Sequence, residues 1–141
     1  MCILSLNIRS LDTSKSLLED YVDNSNIDFV ALSETHNTGD SLKFKNWTTT
    51  DLFKNRPDGT PYGGVALLPH PRLKVVARKD LAAEADPELE LVWAQIGHKN
   101  QLINIICAYI SPSSTLFDKF IDHVKTVLPK LPPNSPLIIC G

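Results

Sequence analysis

A carboxylate at the end of an apolar run is the first place in this chain where chemistry could reside. Glu34 directly follows 27-IDFVALS-33, and Asn7 closes the earlier run 2-CILSLN-7. A carboxylate at a buried strand end is costly to desolvate unless a cation or a hydrogen-bond donor meets it. Carboxylate and amide oxygens suit hard cations such as magnesium. His36, two residues beyond Glu34, could orient a carboxylate or a phosphate. Tyr109 closes a third apolar run just before Ser111 and Pro112, where its hydroxyl could bind a phosphate oxygen. Each residue also has an ordinary reading. Glu34 can be a strand-end acid turned to water, Tyr109 a half-buried aromatic of the kind strands favour, and His36 a loop histidine. On position alone the ordinary readings are the more economical.

The surrounding elements determine whether these residues can meet. Residues 2–7 are a run short enough for a buried strand. Ser16 and Glu19 match a capping box. Leu17, Leu18, Tyr21 and Val22 fall at helical spacing, which predicts a helix over 14–24. Residues 27–33 predict a second buried strand. Strand, helix and strand close as a right-handed crossover between parallel strands, so Asn7 and Glu34 emerge on one edge. Residues 36–62 lack periodicity and carry turn signals at 37–40 and 58–61. Gly63 and Gly64 read as a turn entering a strand at 65–68, since no helix with Lys-Ser/Thr follows to make a phosphate loop. Further strands are predicted at 73–77, 89–96 and 102–110, the last two joined through 97–101 as a hairpin. Residues 82–88 read as a polar loop. Phe117, Phe120, Ile121, Val124, Val127 and Leu128 trace one face of a helix over 115–128, which Pro129, Pro132 and Pro133 end. A last strand covers 137–140. There is no internal repeat and no linker. The pattern indicates one α/β or α+β sandwich domain.

The totals agree. A chain of 141 residues suits one domain. A net charge of −2 is not the footprint of a strong nonspecific nucleic-acid binder, although a nuclease can offset basic loops with an acidic metal site. The stretch 41-SLKFKNW-47, with Lys54 and Arg56 beyond it, reads either as a contact for a nucleic-acid backbone or as a solvated loop with one buried aromatic. Cys2, Cys107 and Cys140 sit in apolar runs without a C-x-x-C pair and read as buried free thiols of a reducing compartment, not as zinc ligands. His70, His98 and His123 read as surface residues. No apolar run approaches the ~18 residues of a membrane span, and the start MCILSLNIRS reads as lacking a secretory signal.

Taken in order, 5-SLNIRSL-11, 31-ALSETH-36, 62-YGGVALL-68, 107-CAYISP-112 and 137-LIICG-141 resemble the endonuclease/exonuclease/phosphatase superfamily. The pairing of NIRSL with SETH looks most like the endonuclease domain of LINE-type (non-LTR) retrotransposons. The resemblance spans the whole chain. It implies a deoxyribonuclease-like two-sheet sandwich flanked by helices, with the site at the strand ends. It implies that Glu34 is the principal metal ligand and that Asn7 belongs to the metal or phosphate site. Tyr109 would lie near the scissile phosphate, with His36 close by. The implied cofactor is magnesium, with manganese as a substitute. The implied activity is a nick in DNA that primes reverse transcription. Partners would be DNA, a downstream reverse transcriptase domain and the element RNA, inside the cell and in the nucleus. Other branches of the superfamily share the core residues: abasic-site repair nucleases, inositol-phosphate phosphatases and sphingomyelinases. A non-catalytic truncated remnant is the reading of a different class.

The superfamily's next motif is G-D-x-N directly after a buried strand. Gly141 matches its glycine. The Asp and Asn that would follow, and the Asp-His pair that in the superfamily comes after them, are not among the 141 residues. Residues 1–141 are therefore expected to be a partial, truncated domain without its C-terminal catalytic part. Such a chain is expected to be inactive by itself and to carry unpaired strand edges.

Overall fold

Phe29–Ser33 is buried at every position, and Val65–Pro69 at all but its last. These two strands are the centre of a sandwich. The structure, a computed structural model, describes residues 1–39, 42–49, 51–112 and 114–141. Position 40, where the turn expected at 37–40 would end, and Ser41 of SLKFKNW lie outside the described residues. The chain runs through β1 (Ile3–Asn7), α1 (Leu11–Asp23), β2 (Phe29–Ser33), β3 (Leu42–Lys43), β4 (Thr48–Thr49), β5 (Phe53–Lys54) and β6 (Val65–Pro69). It continues with β7 (Val75–Ala77), α2 (Lys79–Ala83), β8 (Glu90–His98), β9 (Gln101–Tyr109) and α3 (Ser114–Val127). A 3-10 turn (Leu128–Lys130) then leads to β10 (Leu137–Cys140).

One sheet has the order β1-β2-β6-β5 and the other β10-β9-β8-β7, with β3 and β4 as a separate pair. β1 is parallel to β2, with Asn7 beside Ser33, as the expected crossover requires. β2 and β6 are antiparallel. The period of two along each strand sorts the core into three parts. Phe29, Ala31 and Leu67 meet Val92, Ala94, Ile105 and Cys107 between the sheets. Val30 and Leu32 turn the other way, under Leu18 and Val22 of α1 and under Phe44 and Trp47. Trp93, Ile106 and Ala108 face α2 and α3 through Leu81, Phe120 and Val127. The result is the two-sheet, helix-flanked α/β sandwich expected from the sequence.

Several local expectations are corrected. α1 begins at Leu11, so Ser16 lies inside the helix and caps nothing. Ser10 at the helix start makes no side-chain cap bond. Tertiary partners replace it: the Leu11 N–H donates to the Thr35 carbonyl at 2.9 Å, and the Ser14 hydroxyl donates to the Ile8 carbonyl at 3.2 Å. α2 lies between the strand expected at 73–77 and the polar loop expected at 82–88, and takes the first two residues of that loop. It is five residues long, too short to show a helical period. The hairpin turns at Lys99 and Asn100, both with positive φ (46° and 64°), the pattern that matches the strand twist in two-residue turns. Gly97 pairs with Leu102 inside the ladder.

Burial corrects two further expectations. Cys2 is exposed, because it precedes a strand at the rim of its sheet. Cys107 is fully buried, and burial pushes its thiol up to about 12. His123 is not a surface residue: it is 6% exposed, on the sheet-facing side of α3. The Trp93 indole N–H donates to its Nε2 at 3.0 Å. A buried indole needs such an acceptor, and a histidine in an otherwise apolar stripe provides it.

Candidate active site

Three strand ends converge where the two sheets meet. Asn7 closes β1, Glu34 follows β2 directly, and Tyr109 closes β9. β9 places Tyr109 among the residues between the sheets, so its ring points toward the neighbouring sheet and its hydroxyl reaches Glu34. The side-chain amide of Asn7 and the hydroxyl of Tyr109 both approach the Glu34 carboxylate as donor groups and favour its ionised form. The Arg9 N–H in turn donates to Asn7 Oδ1 at 3.3 Å. The structure thus brings together Asn7, Glu34 and Tyr109 from segments far apart in sequence. His36 stands at their side, with Nε2 at 3.9 Å from Glu34 Oε2. The His36 ring packs edge-on against Tyr62 at 5.7 Å.

The electrostatics follow from these contacts. The Asn7 hydrogen bond, with help from Tyr109 and from the charges of His36 and Arg9, holds the Glu34 carboxyl below the usual range against the opposing effect of partial burial. Glu34 is therefore ionised at neutral pH, and its side chain remains 23% exposed. Tyr109 is pushed up by burial, by its bond to Glu34 and by the charges of Glu34 and Glu90. Its phenol keeps its proton and stays a donor. An ionised oxygen ligand flanked by two donors can hold a hard cation on its open side and present a hydroxyl to a phosphate. Among the described residues no group of three or more His, Cys, Asp or Glu is placed to hold a metal ion.

Backbone conformation marks the same segment. Glu34 and His36 both adopt positive φ (53° and 51°), which is costly for residues with a Cβ and persists only where neighbours enforce it. The neighbours are Gly63 and Gly64. The Thr35 N–H donates to the Gly64 carbonyl at 3.2 Å, and the His36 N–H to the Gly63 carbonyl at 2.9 Å. The two glycines form the turn expected from the sequence, yet they also brace the site loop.

Sequence reasoning missed Glu90. It opens β8 directly opposite Tyr109, is 5% exposed, and accepts the Gly64 N–H through Oε2. Burial pushes its carboxyl up. The signal was present: in 89-LELVWAQI-96, Glu90 shares the inward parity of Val92, Ala94 and Ile96, an expensive place for a charge. Arg9 was also missed. It is exposed one turn of chain beyond Asn7 and adds positive charge near Glu34. The basic and aromatic stretch divides. Phe44 and Trp47 are core residues, whereas Lys43 and Lys45 face water. Lys54 donates to the Leu89 carbonyl at 2.7 Å and is half-buried, and Arg56 pairs with Asp58 at 3.1 Å.

No family model matches the sequence, and no curated protein matches it. Solved structures do. The endonuclease domain of TRAS1, a telomere-specific non-LTR retrotransposon, superposes with a TM-score of 0.69 at 16% identity, over 97% of this chain and 56% of that one. The Xenopus laevis APE2 catalytic domain gives 0.69 at 14% identity, over 99% and 57%. A humanized D. rerio TDP2 gives 0.58 at 18% identity, over 97% and 59%. The chain shares the fold of these solved structures, a two-sheet α/β sandwich. The chain spans a little over half the length of these neighbours, and it carries the Asn7–Glu34–Tyr109 cluster at the strand ends of that fold.

Proposed function

We propose that the chain is the metal- and phosphate-binding part of a phosphodiesterase that hydrolyses DNA, as a retrotransposon endonuclease does. The observation that supports this best is the convergence of Asn7 and Tyr109, as donor groups, on the ionised, partly open carboxylate of Glu34. The likeness to an endonuclease domain in fold points the same way.

The donor set suits magnesium, or manganese in its place. Magnesium is commonly held by one or two carboxylates, with waters and substrate oxygens completing the shell, and Glu34 supplies such a carboxylate. The ion would supply Lewis-acid stabilisation of the phosphoryl group and of the leaving oxygen. Asn7 orients the Glu34 carboxylate, and it would become a ligand only by turning its amide oxygen away from the Arg9 N–H. Tyr109, kept protonated, would donate to a phosphate oxygen by turning its single O–H away from Glu34. Arg9 draws the phosphate toward the cluster, and His36 steadies the open side of Glu34. In the retrotransposon setting the nick would prime copying of the element RNA by a reverse transcriptase, in the nucleus. The Asp-x-Asn and Asp-His residues to which the resemblance assigns the attacking water are not among the 141 residues, so the chain by itself is expected to bind without cleaving.

Manganese titration followed by electron paramagnetic resonance tests the reading. The chain is expected to take up one ion, and Glu34→Gln to abolish uptake. Equal uptake by both proteins would remove Glu34 from the metal site. Incubation with supercoiled plasmid and magnesium is expected to leave it intact, and nicking that disappears in Glu34→Ala would overturn the proposed inactivity. Binding compared over plain duplex, abasic duplex and phosphoinositide separates the DNA reading from the other branches.

A further inference from the structure

Among the described residues Glu90 is the one acid that is buried, and nothing in the proposed chemistry uses it. Its contacts lead to the site nonetheless. Oε2 accepts the Gly64 N–H. The Gly64 and Gly63 carbonyls hold the Thr35 and His36 N–H groups at 3.2 and 2.9 Å, and the Thr35 carbonyl holds the Leu11 N–H at 2.9 Å. The strained residues Glu34 and His36 flank the point where this chain of bonds attaches. The space confirms the arrangement. A Cβ on Gly63 would stand 2.5 and 2.8 Å from the two Glu90 oxygens, and one on Gly64 would stand 2.5 Å from Thr35 Oγ1. Both glycines also have positive φ (77° and 89°). Thr35 is 1% exposed, and its hydroxyl has no hydrogen-bond partner, so its backbone bonds, not its side chain, hold it in place.

We propose that Glu90 is a positioning residue: through Gly63 and Gly64 it holds Glu34 and His36 in the left-handed conformation that aims the Glu34 carboxylate at Asn7 and Tyr109. The proposal rests on Glu34 as the metal ligand and assigns to β8 the support of that ligand. The support works through the acceptor oxygen. Glutamine, which keeps an acceptor of the same reach, replaces glutamate in this role, and alanine does not. Removing such a support around a metal ligand typically costs 10–100-fold in affinity, an order-of-magnitude range.

The test is manganese affinity of the 141-residue chain and of Glu90→Ala, Glu90→Gln and Gly63→Ala, with amide hydrogen exchange read at Gly64, Thr35 and His36. Affinity is expected to fall at least about tenfold in Glu90→Ala and in Gly63→Ala, which crowds the carboxylate, and to stay within about threefold of the parent in Glu90→Gln. Exchange at the three amides is expected to quicken in Glu90→Ala and not in Glu90→Gln, with the sheet amides of β8 and β9 unchanged. Parent-like affinity in Glu90→Ala, or equal losses in the alanine and glutamine variants, overturns the proposal. If Glu90→Ala does not fold, Gly63→Ala decides in its place, and parent-like affinity there overturns it. If the parent chain takes up no manganese, the metal reading of Glu34 fails separately. Exchange at the three amides then decides for Glu90: unchanged protection in Glu90→Ala overturns the positioning role, and selective loss sustains it.

Discussion

At the scale of single residues, the buried His123 and Glu90 pull stability in opposite directions with pH. His123 is held below its ordinary value, first by burial and then by the charge of Lys130, while the nearby Glu84 charge acts against both. Its neutral form is required, because Nε2 accepts the Trp93 N–H. A histidine with a depressed folded pKa contributes stability that is present above its unfolded value of about 6.5 and is lost as pH falls toward the folded value. Glu90 has the reverse sign: its folded pKa is raised, so its ionised form lowers stability as pH rises past the ordinary carboxylate range. Urea unfolding between pH 8 and pH 5 should therefore show a loss of stability on acidification that is smaller in His123→Gln, which keeps an acceptor for Trp93 and cannot be protonated. An identical acid loss in parent and variant would mean that other groups carry it. For Glu90→Gln, stability at pH 8 is expected to equal or exceed that of the parent.

At the scale of elements, what was legible followed from how much each residue pattern had to accomplish alone. β2 and β10 were visible as continuous apolar runs, and Asn7 and Glu34 could be set side by side because a strand-helix-strand unit has one favoured closure. The start of α1 was not visible, since its first N–H is taken up by the Thr35 carbonyl from another element. α2 has too few residues for a period, and His123 hides in an apolar stripe because the single group it serves, Trp93, comes from another element. Glu90 was legible by parity in β8, but its tie to Gly63 and Gly64 required the fold. The β8–β9 hairpin offers a test at this scale. Its turn places Lys99 and Asn100 at positive φ, where Asn-Gly is favoured. Replacing the pair with Lys99→Asn and Asn100→Gly is expected to stabilise the chain by about 0.5–1 kcal/mol, read as a higher urea midpoint with an unchanged slope. A lower midpoint would show that the Lys99 and Asn100 side chains make contacts that matter more than turn strain.

At the scale of the whole molecule, the two sheets of the sandwich end in edge strands. β2 faces β9 and β6 faces β8, so the terminal strands of the two sheets, β1 and β10, lie on the same side. Each has a neighbour on one edge only. Apolar side chains are exposed along this part of the molecule: Ile139 on β10 at 52%, and Leu17 and Tyr21 on α1 at 77% and 57%. Leu17 and Tyr21 share a groove with Leu4, Leu6 and Ile8 of the β1 segment. Two open strand edges beside exposed leucine, isoleucine and tyrosine form a template for strand pairing between molecules. The 141-residue chain in isolation is thus expected to self-associate as its concentration rises, seen as growth in mass by sedimentation velocity. Ile139→Lys places a charge on the open strand and is expected to shift the chain toward monomer without loss of the Trp93 near-ultraviolet signal. A monomer that melts reversibly and cooperatively at high concentration would show that this flank is adequately covered as it stands. Association unchanged by Ile139→Lys would move the contact from β10 to the groove between β1 and α1, where Leu17→Lys is the corresponding variant.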